Sequence, residues 1–152
     1  MRQILTAGAL GAAILFSQAA IAAESPKPAE TAKTEAGKIT VELNDLQQAD
    51  TGCRAVFVLN NGLTKSFDKV TFRVVGFDGK GHATLFLSFD FGALPVGKTR
   101  ILRFDLGDKV ACADVSRLVL DDVTTCTGAG VEPGDCLAAI ALSTRATVPF
   151  DF

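Results

Sequence analysis

The sequence predicts an all-β fold: an antiparallel two-sheet sandwich, immunoglobulin-like in size and rhythm, with about seven strands and two disulfides. Three observations predict it. From Ile39 onward apolar residues recur with a period of two, the repeat of a half-buried strand. Gly, Asn, Asp and Pro interrupt that alternation at short intervals, as turns require. Four cysteines follow an export-type leader, which reads first as two disulfides. An open barrel is the alternative architecture.

Each strand has its own pattern. In ITVELND, residues 39–45, Ile39, Val41 and Leu43 share one face while Thr40, Glu42 and Asn44 share the other. CRAVFVLNN, residues 53–61, is apolar on both faces in its middle, as suits a central strand, and the NNG that closes it is a turn signal. KVTFRVVGFD, residues 69–78, alternates Val70, Phe72 and Val74 against Thr71 and Arg73, and Gly76 marks a bulge. DGKG, residues 78–81, is a hairpin turn, because Gly and Asp tolerate positive φ. The chain returns through HATLFLSFDF with Leu85, Leu87, Phe89 and Phe91 on one face and Phe86 on the other. After the LPVGK turn, TRILRFDL directs Leu102, Phe104 and Leu106 inward. VSRLVLDDV, residues 115–123, and LSTRATVPF, residues 142–150, complete the set. CLAAIAL, residues 136–142, reads as either a short helix or a strand, since an Ala-rich run favours helix.

The remaining chain is divided by composition. Residues 1–23 have one Arg, a short apolar stretch from Ile4 to Phe16, and small residues at Ala20 and Ala22, the pattern of a cleaved signal peptide. That stretch is shorter than the roughly 20 residues of a membrane span. Residues 24–37 are rich in Pro, Ala, Glu, Lys and Thr and lack large apolar side chains, the composition of a flexible tether. Residues 38–152 form the predicted domain. The expected location is the periplasm, with no direct membrane insertion once the leader is gone.

Charge argues against several partners. The chain carries a net −2, one unit more negative without Arg2, and its charges of both signs are interspersed. Nucleic-acid binding needs clustered Lys and Arg, so nucleic acid is not expected as a partner.

Four cysteines allow three pairings, and spacing alone does not choose among them. The predicted strand order does. If successive strands run up and down, Cys53 follows the first connection and Cys112 lies in the fifth, at one end of the sandwich. Cys126 and Cys136 bracket the sixth connection at the other end. Pairs 53–112 and 126–136 then avoid spanning the sandwich, which the limit of about 7 Å between Cα atoms forbids. TTCTGAGVEPGDC, residues 124–136, is therefore read as a stapled loop.

Catalytic and metal chemistry find little support. Zinc wants four Cys or His ligands at tight spacing, and the chain has one histidine, His82. Calcium at Asp121, Asp122, Glu132 and Asp135 lacks an alternating-oxygen loop. No Cys-x-x-Cys pair serves redox chemistry. His82 sits just after a hairpin turn with no marked nucleophile nearby, so it reads as a surface residue. Asp121 and Asp122 are neighbours on a strand and point to opposite faces, unlike a catalytic pair. The chain has 11 Phe and neither Trp nor Tyr, which removes the usual sugar-stacking surfaces. No cofactor is expected.

TGCRAVFVLNN, LPVGKTRILRFDLGDKVACADVSRLVLDDVTTC and LSTRATVPF together resemble a family of small exported bacterial proteins with an immunoglobulin-like β-sandwich. The likeness covers nearly all of residues 39–150. No activity is established for that family, so the resemblance implies architecture and no catalytic residue. A looser similarity links VLNNGLTKSFDKVTFRVVGFDGKG, followed by LPVGKTRILRF, to immunoglobulin-like modules of envelope proteins.

The expected function is a non-enzymatic periplasmic module that binds another envelope protein. Its expected contacts are Thr127, Gly128, Val131, Glu132 and Pro133 in the stapled loop, joined by Phe86. Two alternatives remain at this level: an inhibitor of exported proteases, and a calcium-dependent binding protein or enzyme.

Overall fold

A computed structural model describes residues 35–131 and 133–152. The predicted signal peptide, most of the tether and Glu132 lie outside these residues. The chain is mostly strand: β1 (Ile39–Ala49), β2 (Gly52–Asn61), β3 (Phe67–Phe77), β4 (Ala83–Leu94), β5 (Thr99–Asp108), β6 (Arg117–Thr127), β7 (Ile140–Thr144) and β8 (Phe150–Asp151). A seven-residue helix, α1 (Pro133–Ala139), follows the stapled loop. Among the described residues, no helix is long and apolar enough to cross a membrane.

The strands form two four-stranded sheets, ordered β5-β2-β1-β7 and β4-β3-β6-β8. Both are mixed, which corrects the antiparallel expectation: β7 runs parallel to β1, and β8 parallel to β6. There are eight strands among the described residues, because the predicted strand at 142–150 is two. Residues 145–149 carry the chain from one sheet to the other. Arg145 and Ala146 donate their N–H groups to the Leu43 carbonyl, and Leu118 N–H bonds to the Pro149 carbonyl. Proline has no N–H with which to continue a ladder, so the crossing costs no additional donor there. CLAAIAL is divided likewise, with helix to Ala139 and strand from Ile140.

One apolar cluster draws on both sheets. Phe57 of β2 lies 5.7 Å from Phe89, 5.8 Å from Phe91 and 5.4 Å from Phe150 in the opposite sheet. Phe104 of β5 stacks on Phe89 at 4.3 Å. Such pairs contribute about 0.5–1.5 kcal/mol each beyond simple burial. A phenyl ring brings no hydroxyl or indole N–H into this interior, which accounts for Phe being the aromatic residue used there.

Connections fall at two ends. The starts of β1, β3 and β5 lie at one end with the finishes of β2, β4 and β6; the turns at 50–51 and 78–82 and the β5–β6 connection lie at the other. Cys53 pairs with Cys112 at the latter end, with Cα atoms 4.8 Å apart. Cys126 pairs with Cys136 at the former, with Cα atoms 6.4 Å apart. This is the pairing the strand order predicts.

Candidate functional site at the stapled-loop end

The stapled loop is held on three sides. Val131 N–H bonds to the Gly128 carbonyl at 3.3 Å, closing a turn whose third residue, Gly130, has φ +68°. Only glycine takes that conformation without strain. The Lys65 ammonium donates to the Gly130 carbonyl. Gly128 presses against the neighbouring chain: a Cβ there would lie 2.5 Å from the Ser66 carbonyl oxygen. Pro133 opens α1, where its missing N–H is not needed.

The facing wall is organised by Asn61, whose side chain is wholly buried. Its amide donates to the carbonyls of Lys65 at 2.8 Å and Leu94 at 2.9 Å, and its oxygen accepts the Leu63 N–H at 3.0 Å. Three bonds from one side chain thus fix the 62–66 loop and tie it to the end of β4. Glu35 to Lys38 adds a further strap: Gly37 N–H bonds to the Gly62 carbonyl, and Gly62 N–H to that of Lys38.

Between these walls lies a hollow of about 210 Å³. Leu63, Phe67, Val131 and Ala139 give it an apolar lining, with Thr64, Lys65 and Asp135 also bordering it. Small-molecule sites commonly measure 300–1,000 Å³, so this space suits one side chain rather than a whole ligand.

The expected contact residues do not share one role. Thr127 is exposed and Gly128 half-buried. Val131 is half-buried and packs against the core, so its side chain turns inward to line the hollow. Glu132 lies outside the described residues. Phe86 is well apart, on β4, and 72% of it is exposed. Leu63 to Phe67 were not singled out by sequence, although the NNG turn contains the residue that shapes them.

The other candidates are occupied elsewhere. His82 is exposed, and its Nδ1 lies 3.4 Å from Asp78. Asp78 is committed to its own turn: the N–H groups of His82 and Lys80 donate to it, and the His82 bond is the main cause holding its carboxyl below the ordinary range. A second cleft of about 530 Å³ lies between this turn and the 110–115 segment, edged by Asp78, Lys80, Thr84 and Asp114. It contains no nucleophile paired with a base. Asp121 and Asp122, expected on opposite faces, both face Arg73, because the register shift in β6 at this point breaks the alternation. The Arg73 guanidinium donates to Asp121, and that bond is the main cause raising the Arg73 pKa. Among the described residues no three His, Cys, Asp or Glu side chains gather as a metal site.

Comparison with family models, curated proteins and solved structures finds no match. Fold and cysteines nevertheless define a class: a mostly-β module of two four-stranded sheets with two disulfides, suited to an oxidising, extracytoplasmic environment.

Proposed function

We propose that this protein is a non-enzymatic periplasmic module, immunoglobulin-like in architecture, that binds another envelope protein by taking one of its apolar side chains into the hollow beside the stapled loop. The observation that carries this reading is the preformed apolar hollow walled by two pinned loops. A side chain entering it displaces water from apolar surface, while the walls lose little entropy because a disulfide and Asn61 already order them. Buried anchors of this kind dominate the energy of protein interfaces. The placing of strands 1, 2 and 5 in one sheet and 3 and 6 in the other supports the immunoglobulin-like reading, whereas strand 4 beside strand 3 and the parallel β7 and β8 depart from it. Protease inhibition by a protruding loop has less support, since Val131 points inward and Lys65 holds the Gly130 carbonyl.

Thr64→Trp and Ala139→Glu test this by filling or charging the hollow. Crosslinked co-purification from an exporting host should recover one envelope protein with the parent and lose it with both variants. Equal recovery by parent and variants would refute the hollow as the contact.

A further inference from the structure

Each sheet has two edges, and three of the four are blunted. β8 has two residues, too short to template another strand, and β7 has only five, bounded by α1 before it and by Arg145, bonded to Glu42, after it. β5 carries Arg100, Arg103, Asp105 and Asp108 along its length. The second half of β4 is blocked as well: the Asp90 carboxylate takes the Gly92 N–H at 2.8 Å, Arg100 donates to the Ala93 carbonyl at 2.7 Å, and Gly92 bends at φ +65° beside a register shift. The first half of β4, Ala-Thr-Leu-Phe-Leu-Ser-Phe at 83–89, has no charge, proline or glycine. At seven residues it is the longest stretch of edge strand among the described residues without a charge, proline or glycine.

Burial changes at the same place. Phe89 and Phe91 are covered, at 3% and 0% exposure, whereas Leu85 and Leu87 on the same inward face are only half-buried. On the outer face Phe86 stands 72% exposed, continuing a row with Val75 and Val119 across the sheet.

We propose that a second copy of this chain pairs with this segment, β4 against β4 in antiparallel register about a two-fold axis at Phe86. The sequence is self-complementary in that register. Phe86 meets the partner's Phe86, and Thr84 meets the partner's Ser88, so hydroxyls face hydroxyls. Asp90, already paired with Lys69 of its own chain, falls opposite the partner's His82, so no like charges meet there. On the inner face Leu85 meets the partner's Leu87, covering the half-buried leucines of both copies. Moving the axis to Ser88 sets Phe86 opposite the partner's Asp90, and moving it to Thr84 sets Asp90 opposite the partner's Asp78. The result is a continuous eight-stranded sheet with two guarded edges. The pairing uses neither wall of the hollow and stands independently of the function proposed there.

Sedimentation velocity of the protein purified after export, over a concentration series, is expected to show a particle of twice the chain mass. Phe86→Lys places like charges directly opposite each other and should weaken this dimer at least about tenfold, a loss of 1.4 kcal/mol. Its Tm at the lowest concentration should match the parent's, because the side chain faces solvent. Phe86→Cys should crosslink the two copies on mild oxidation, and Ser88→Cys should not, since Ser88 meets Thr84 and not itself. A chain that stays monomeric at every concentration overturns the proposal and leaves the edge to a strand from another protein. A dimer that Phe86→Lys leaves intact, or one that crosslinks through Ser88→Cys instead, overturns it equally.

Discussion

Gly128 and Asn61 set the geometry of the candidate site, and each is sensitive for a different reason. At Gly128 the obstacle is backbone: any Cβ meets the Ser66 carbonyl, which has no free side chain to swing aside. Gly128→Ala should therefore cost about 1–3 kcal/mol, the usual scale of overpacking, and should weaken partner capture by parting the two walls. At Asn61 the obstacle is hydrogen bonding. Asn61→Leu strands two carbonyls and one N–H, and leaving buried groups unsatisfied costs about 1–3 kcal/mol. Urea unfolding of both variants checks these losses, and stability equal to the parent's would show that the walls are not braced this way. Asp78 offers a pH test. Its folded carboxyl is held below the ordinary 3.8, chiefly by the His82 N–H, so its stabilisation is complete above that value and is lost as pH falls through the lower, folded one. Asp78→Asn should lower Tm near neutral pH and lessen the further decline below pH 3.8. An acid limb unchanged by the substitution would contradict this.

Among the elements, the two staples differ in what they close. Cys53–Cys112 closes a separation of 59 residues and Cys126–Cys136 one of 10. On the chain-entropy account these contribute about 4 and about 3 kcal/mol respectively. Replacing both cysteines of the first pair by serine should therefore destabilise the protein more. Removing the second pair should show its larger effect locally, as faster amide exchange in residues 127–131. Equal unfolding losses with no local change would remove the stapled loop's role as a rigid wall. The elements also differ in legibility. β1 to β6 were readable because each contains a run of alternating inward residues, as Val70, Phe72 and Val74 are, although bulges interrupt the alternation after Leu43 in β1 and at Asp121 in β6. LSTRATVPF alternates equally well, yet Arg145 leaves the strand to bond with Glu42 at 3.0 Å and the chain changes sheets before Phe150. A period of two records which face a residue takes, and both sheets present the same inward face, so the crossing leaves no mark in the pattern. The parallel partners of β7 and β8 were hidden for the same reason.

For the molecule as a whole, the cysteine pairing was legible because it depends on which end each connection occupies, and the strand the pattern missed, β8, comes after the last cysteine. The hollow was not legible. Its second wall, Leu63 to Phe67, lies some sixty residues before the stapled loop, and only the folded register brings the two together. Val131 was expected as an outward contact because a loop residue between glycines carries no periodicity to show that it turns inward. Phe86 was visible from alternation alone, since it opposes Leu85 and Leu87. A hollow at one end and an unguarded edge midway along β4 give the module two separate surfaces. Dimerisation at the edge would direct the two hollows in opposite directions, since paired β4 strands are antiparallel.

The central claim, that the stapled-loop end is the receptor surface, is tested most directly by placing a photo-crosslinking amino acid at Thr64 on the hollow, and separately at Gln47 near the opposite end. Illumination in an exporting host should give one discrete adduct with an envelope protein from position 64 and none from position 47. The same adduct from both positions, or from position 47 alone, would contradict the account.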